Sequence, residues 1–515
     1  MSNEAMAAMV TGNTIGEALT RSVRRNPEAT ALIFGDRQWT FAELDAAVNR
    51  VANGLIAAGL QPGERVAAYA HNSDSYALLW LACCRAGLVH VPVNYSMTTS
   101  ELAYILEQCG ASALFIDDQA HADVDTAQQG SQVRLLGHMT GGGEPDVLAW
   151  AQGGASDAAP GVPVAETELA QLLYTSGTTS APKGAMMTHR ALMAHYTSTI
   201  IALSIDPNDL FLGALPLYHS APTHVFLMPQ LLIGGATALI DGPKPGPVFD
   251  YIEKHRAAAF FAPPTAWIAL LRDPDFDNRD LSALNKAYYG AAIMPEPVLH
   301  ELRERLPGLQ VYNCYGQSEI GPLATVLQPA EHDDRPTSAG RPVFNVDVRI
   351  VDEDMNDVPV GELGEIVYRS PQLLQAYWDK PDQTEESFAG GWFHSGDVGR
   401  FDEGGYLYVV DRIKDIINTG GVTLSSRDVE DCLYTHPAVA EVAVIGLPDD
   451  KWIEKVAAVV CLKAGESADA AALEAHAREH LSAYKVPKVF HFVDDLPRNT
   501  AGKLLKRELR DRFSE

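Results

Sequence analysis

Apolar residues recur along this chain in two alternating rhythms. Over Phe41–Gly59 they fall at helical spacing, and Gly59 stands where such a helix would end. Arg65–Tyr69 is a short apolar run that predicts a buried strand, and Tyr76–Ala86 predicts a helix. Val89–Val93 then reads as a strand, Ser100–Cys109 as a helix and Ala113–Ile116 as a strand. Such strand–helix–strand repetition predicts a mostly parallel sheet with helices on both faces. The longest apolar stretch, Tyr76–Val93, is interrupted by Arg85 and His90, so a buried helix followed by a buried strand is expected, not a membrane span. Thr140–Glu166 is rich in Gly, Ala, Pro and Asp and reads as a loop or mobile connection.

A second alternating region runs from Leu169 to about Pro297. From Val346 the pattern shortens to strands at Val346–Val351, Gly364–Tyr368 and Gly405–Val410, which predicts a small β-rich subdomain. After Asp411 the order changes again. Helix Arg427–Thr435, strands Val439–Gly446 and Val456–Leu462, helix Ala470–Leu481, strand Val489–Val493 and helix Leu504–Arg512 predict a separate α+β domain. The expected fold class is therefore α/β. It has a large N-terminal domain of several subdomains (residues 1–411), with mostly parallel sheets and the β-rich piece, and a small α+β C-terminal domain (residues 412–515).

Composition narrows the function classes. At 515 residues the chain has room for three or four packing units and needs no disulfide staples. Its six cysteines show neither a C-x-x-C pair nor metal-ligand spacing, and adjacent Cys83 and Cys84 read as buried thiols of a reducing compartment. A net charge of −28 argues against a nucleic-acid or anionic-membrane coat, though not against a local anion site. Met1–Val10 lacks a basic n-region and an apolar h-region, and the chain ends Arg-Phe-Ser-Glu without a lipidation box. A soluble, cytoplasmic protein is expected.

The most informative segment is Tyr174–Gly184, YTSGTTSAPKG, which follows the apolar strand Leu169–Leu173. Thr175, Ser176, Gly177, Thr178 and Thr179 offer hydroxyls and backbone N–H groups to phosphate oxygens, and Lys183 adds a point charge. The glycine spacing is not that of a Walker A loop. A plain surface Ser/Thr loop is the alternative at this point.

YTSGTTSAPKG resembles the signature loop of the adenylate-forming superfamily, which includes acyl-CoA synthetases, nonribosomal adenylation domains and firefly luciferase. YGQSE (Tyr315–Glu319), GWFHSGDVG (Gly391–Gly399), DRIKDIINTGG (Asp411–Gly421) and PRNTAGKLLK (Pro497–Lys506) follow in the family's order, so the resemblance covers most of the chain. It implies that Glu319 holds Mg²⁺ and that Tyr315 stacks on adenine, with Gly316 beside it. It further implies that Ser318, where relatives usually have Thr, reaches the α-phosphate, and that Gly290, Ala291 and Ala292 let backbone approach the nucleotide. Asp397 matches the carboxylate that accepts both ribose hydroxyls, a task suited to an acceptor-only group, and Arg412 would contact ribose and phosphate. Lys503 matches the lysine that bridges the substrate carboxylate and the α-phosphate, while the basic residues around it (Arg498, Lys506, Arg507, Arg510, Arg512) read mostly as a solvated helix face. Lys414 matches a hinge about which the C-terminal domain moves, and Thr419, Gly420 and Gly421 would present backbone to a pantetheine arm.

The implied activity is an acyl-CoA ligase: ATP converts a carboxylic acid to acyl-AMP, and coenzyme A then takes the acyl group. The cofactor set is ATP, Mg²⁺ and coenzyme A. A carrier protein in place of coenzyme A, retention of only one half-reaction, a non-catalytic nucleotide-binding paralogue, and a homodimer all stay open. Ser180 replaces a usual glycine, Val422–Asp428 replaces a proline-containing run, and Trp452-Ile453-Glu454 stands where glycine commonly precedes glutamate. Leu217-Tyr218-His219-Ser220 resembles the segment gating the acyl group, and Val225, Phe226, Phe260, Phe261, Trp267 and Tyr288 are candidates for an apolar cavity. No Asp stands in these segments to clamp an ammonium, so the expected substrate is a fatty or other hydrophobic acid.

Overall fold

The computed structural model describes residues 12–153, 155–175, 182–292, 294–419, 422–449, 452–463, 465–498 and 504–514. The chain divides into two compact units. One holds most of the sequence up to Val348 together with Tyr368–Trp392; the other holds Arg349–Val367 and Phe393–Glu515.

Two sheets organise the first unit. In one, strands Leu135–His138, Ala113–Ile116, Arg65–Tyr69, Val89–Val93 and Leu169–Thr175 lie side by side and parallel, and Lys183–Thr188 closes the row antiparallel. In the other, Thr30–Phe34, Thr237–Leu239, Phe211–Gly213, Ala259–Phe261, Lys286–Gly290 and Gln310–Tyr315 run parallel in that order, with antiparallel strands at both edges. Their near-continuous apolar runs suit strands covered on both faces. Strands Arg65–Tyr69, Val89–Val93 and Ala113–Ile116 keep the bounds the sequence predicts.

Helix starts follow local capping chemistry. Thr40 and Glu43 form a reciprocal capping box before helix Phe41–Ala57, as Thr98 and Glu101 do before Thr99–Cys109. Ser73 caps the next helix, which begins at Asp74, two residues earlier than the apolar pattern suggests. Asp74 is fully buried, and its carboxylate accepts from Arg37 Nε and Nη2, each at 2.7 Å, and from the Trp39 indole N–H at 2.9 Å.

The expected loop at Thr140–Glu166 contains a short helix, Val147–Gln152, started by Asp146 accepting from the Ala149 N–H at 2.7 Å. Trp150 on this helix lies flat on Gly54, where an added Cβ would meet its ring at 2.6 Å. Composition alone hides this element, because it rests on one cap, one half-buried ring and the burial of only Val147 and Ala151.

In the second unit, strands Asp347–Val351, Gly364–Arg369, Phe393–Phe401 and Leu407–Arg412 form the β-rich sheet. Phe393–Phe401 is an element the apolar pattern does not announce, since of the residues it buries, Phe393, Ser395, Asp397 and Gly399, only the first is a large apolar side chain. A second sheet pairs Val439–Asp449 with Ile453–Leu462, flanked by Ile417–Thr419 and Val489–Phe492. The expected boundary between residues 411 and 412 falls inside this unit. Asp411 accepts from the Ser426 N–H at 2.9 Å and the Ser426 hydroxyl at 2.6 Å, joining strand Leu407–Arg412 to helix Ser426–Tyr434. Ile453 adopts φ +70°, a region that strains a β-branched residue and suits the glycine usual there.

Candidate active site

The carboxyl ends of parallel strands are where open α/β sheets bind ligands. Here the ends of Lys286–Gly290 and Gln310–Tyr315 adjoin, with Gly290 opposite Cys314. A Cβ on Gly290 would stand 2.4 Å from the Cys314 carbonyl oxygen, and one on Gly316 would stand 1.9 Å from that of Pro322. Both glycines therefore permit backbone approaches that no side chain tolerates. Ala291 follows at φ +64°, and Ala291 and Ala292 are exposed. The Tyr315 hydroxyl accepts from that of Tyr368 at 2.9 Å. Ser318 lies 2.9 Å, hydroxyl to hydroxyl, from Ser220, which joins this loop to the one following Phe211–Gly213. Sequence reading named Ser220 only as part of the acyl gate.

Lys183 opens the antiparallel edge strand, directly opposite Thr175. Ser176, Gly177, Thr178 and Thr179 lie outside the described residues. The Lys183 ammonium sits 5.0 Å from the centroid of the Tyr377 ring. That same tyrosine donates its hydroxyl to Glu319 Oε1 at 3.1 Å. Glu319 is itself 9% exposed, in the short turn Ser318–Ile320. A buried carboxylate keeps its charge only with partners or a cation. Among the described residues no group of three or more His, Cys, Asp or Glu is arranged to hold a metal. One carboxylate with one oxygen engaged fits Mg²⁺ shared with substrate phosphates, not an all-protein cage.

The apolar candidates divide between two faces of the sheet. Phe261 and Phe226 stack with centroids 4.7 Å apart, Phe226 also lies 4.7 Å from Phe211 and 5.0 Å from Tyr288, and these four make one aromatic wall. Trp267 does not join it. It packs edge-on to Phe260 at 5.1 Å and donates its indole N–H to the Tyr288 carbonyl at 3.1 Å, because Phe260 and Phe261 point to opposite faces. Val225 and Phe226 ride on a π-helical turn, Ala221–Leu227, a form concentrated at functional sites. A cavity of about 10 Å³ borders Phe226 and Tyr288, but Asp206 and Asp209 also line it. Those residues precede strand Phe211–Gly213, so the cavity lies at the end of the sheet away from Gly290 and Tyr315.

Behind the π-turn runs a buried polar chain that sequence reading missed: Tyr196 Oη to His224 Nδ1 at 2.8 Å, His224 Nε2 to Gln171 Oε1 at 2.7 Å, and Gln171 Nε2 to His90 Nδ1 at 3.0 Å. Burial pushes His90 and His195 down to about 3 and His189 and His219 down to about 4. These imidazoles stay neutral in the fold while the unfolded chain takes up protons below about pH 6.5. Stability must therefore fall as pH drops from 7 to 5, by about 2 kcal/mol for each such histidine. Urea midpoints at the two pH values check this, and His195→Asn should show the shallower dependence. A midpoint independent of pH would contradict it.

In the second unit, Asp397 and Arg412 face each other on paired strands. The half-buried Arg412 places its Nε 2.7 Å from Oδ1 of the buried Asp397, and its Nη1 donates to the Ser395 carbonyl at 3.3 Å. Lys414 is exposed on the turn Ile413–Asp415, and Thr419 is buried on its strand. Gly420, Gly421 and Lys503 lie outside the described residues. The basic tail is less solvated than expected. Lys506 pairs at 2.8 Å with Glu430, whose carboxyl burial pushes up, Arg510 pairs with Asp415 at 2.6 Å, and Arg498 with Glu441 at 3.1 Å.

A family model described as AMP-binding enzyme matches residues 19–378, and one described as AMP-binding enzyme C-terminal domain matches residues 428–503. A feruloyl-CoA synthase of Amycolatopsis sp is 39% identical over 97% of this chain and 99% of its own. The fatty acid–[acyl-carrier-protein] ligase ScoC of Streptomyces coeruleorubidus is 32% identical over 97% of this chain and 96% of its own. Among solved structures, ATP-bound MatB from Rhodopseudomonas palustris superposes with a TM-score of 0.90 at 30% identity, covering 98% of this chain and 99% of the other.

Proposed function

Since the chain belongs to the AMP-binding enzyme family, we propose that it activates a hydrophobic carboxylic acid with ATP and passes the acyl group to coenzyme A. The observation that carries this reading is the meeting of Lys183 and Glu319 on Tyr377, beside strand ends opened by Gly290 and Gly316. A cation and a carboxylate held on one ring suit a polyphosphate and its counter-ion. Mg²⁺, when bound, supplies positive charge to the phosphate oxygens, and Glu319 would hold it.

The first half-reaction joins a carboxylate oxygen of the acid to the α-phosphorus of ATP and breaks the bond to pyrophosphate. Lys183 steadies the phosphates, and Lys503 offsets the charge building at the reacting centre. Tyr315 stacks the adenine, Ser318 reaches the α-phosphate, and Asp397 and Arg412 take the ribose. In the second half-reaction the thiol sulfur attacks the acyl carbonyl carbon, loses its proton, and AMP leaves. A turn of the C-terminal segment about Lys414 would exchange Lys503 for the thiol arm along Thr419–Gly421.

The wall of Phe226, Phe261 and Tyr288 supports an apolar acid. A relative named a feruloyl-CoA synthase favours an aryl acid; one named a fatty acid–carrier-protein ligase favours an alkyl chain and another thiol. The test supplies the enzyme with ATP, Mg²⁺, aryl-propenoic and fatty acids, and either coenzyme A or a carrier protein. Acid-dependent AMP and pyrophosphate with a coenzyme A thioester is the expected result. Absence of acid-dependent AMP across the panel would sink the reading.

A further inference from the structure

We propose that Tyr377 is the positioning residue of the phosphate site, setting the Glu319 carboxylate through its hydroxyl and the Lys183 ammonium through its ring. The inference rests on the roles given above to Glu319 and Lys183. It begins with the backbone. Residues 374–378 lie as a strap along the edge strand Lys183–Thr188: the Gln375 N–H donates to the Met186 carbonyl at 2.9 Å, the Met186 N–H to that of Ala376 at 3.0 Å, and the Trp378 N–H to that of Gly184 at 2.8 Å. At its start the strap turns to the other sheet's loop, where the Leu374 N–H donates to the Glu319 carbonyl at 2.8 Å. One short segment thus grips the strand that Lys183 opens and the residue that carries the candidate metal carboxylate.

Tyr377 sits at the middle of this grip, 7% exposed, its own N–H held by the Thr384 hydroxyl at 3.0 Å. Its phenol can only donate to an ionised carboxylate, and Oε1 of Glu319 accepts at 3.1 Å. That bond fixes the rotation of the carboxylate and directs the oxygen that a cation would take. The ring face, 5.0 Å from the Lys183 ammonium, gives that charge an attractive seat without neutralising it, so it remains available to phosphate. A second carboxylate there would have paired with the lysine and removed it from use.

The hydroxyl and the ring can be tested separately on the full chain. Tyr377→Phe keeps the ring and removes the donor to Glu319; Tyr377→Leu removes both. Titration calorimetry measures binding of Mn²⁺·ATP and, with EDTA, of metal-free ATP, in the absence of acid. For Tyr377→Phe, Mn²⁺·ATP binding should weaken by about 10–100-fold while metal-free ATP binding holds. Tyr377→Leu should weaken both. On a Glu319→Gln background the phenylalanine substitution should add less than about twofold, because the partner it positions is gone. Wild-type affinity for Mn²⁺·ATP in Tyr377→Phe, or the same loss with and without Glu319, would overturn the proposal. Should the wild-type chain bind no ATP at all, the reading of the site as an ATP-dependent ligase falls instead.

Discussion

Lys503→Ala is expected to lose acid-dependent ATP–pyrophosphate exchange by about 10²–10³-fold, the usual cost of removing one preorganised charge from a reacting centre. The same variant should convert supplied acyl-AMP and coenzyme A to thioester within about threefold of the wild-type rate. The asymmetry follows from where charge develops. In the first step a second anion approaches the α-phosphate, and a cation bridging the two lowers the barrier. In the second step the phosphate is already the leaving group, and a different atom is attacked. The fold should be unaffected, because the cations anchoring the last helix are Lys506 on Glu430 and Arg510 on Asp415. Equal loss in both half-reactions would refute this separation of roles.

Gly316→Ala should be nearly as damaging by a steric route. Its added Cβ would stand 1.9 Å from the Pro322 oxygen, 2.8 Å from the Ala324 nitrogen and 3.0 Å from the Pro322 carbonyl carbon. All three are backbone atoms, so no side chain can swing away, and the loop itself must move. That loop carries Tyr315, Ser318 and Glu319. The expected cost is about 2–4 kcal/mol of stability with a loss of kcat/KM of at least about 10²-fold. Gly308 makes the control. It too has positive φ, +87°, but open space around its Cβ position, so Gly308→Ala should cost about 1 kcal/mol and leave kcat/KM intact. Urea unfolding and initial rates on both variants decide the matter; equal effects would mean that close approach at Gly316 is not limiting.

What was legible in the sequence followed from burial. Val89–Val93 and Ala113–Ile116 could be read because a strand covered on both faces is a continuous apolar run bounded by turn residues. Strand order could not be read, since pairing partners lie tens to hundreds of residues apart. The loop residues of the candidate site were legible through spaced motifs. Tyr377 was not, because its importance comes from two partners, Lys183 and Glu319, that only folding brings to it. Trp267 shows the converse: aromatic size marked it for a pocket, but strand alternation at Phe260 and Phe261 sends it to the opposite face. The paired Lys506 and Arg510 of the last helix were hidden for the same reason, since Glu430 and Asp415 come from distant segments.

The strap at residues 374–378 also bears on the order in which the protein can be made. Strand Lys183–Thr188 emerges from the ribosome long before the segment that covers its outer edge. At ~5–20 residues per second the delay amounts to tens of seconds. During that interval the nascent sheet presents a row of unpaired N–H and C=O groups, the kind of edge that recruits strands from neighbouring chains. Expression yield should therefore hinge on that window, and chaperone occupancy on nascent chains should fall once residues 374–378 have cleared the exit tunnel.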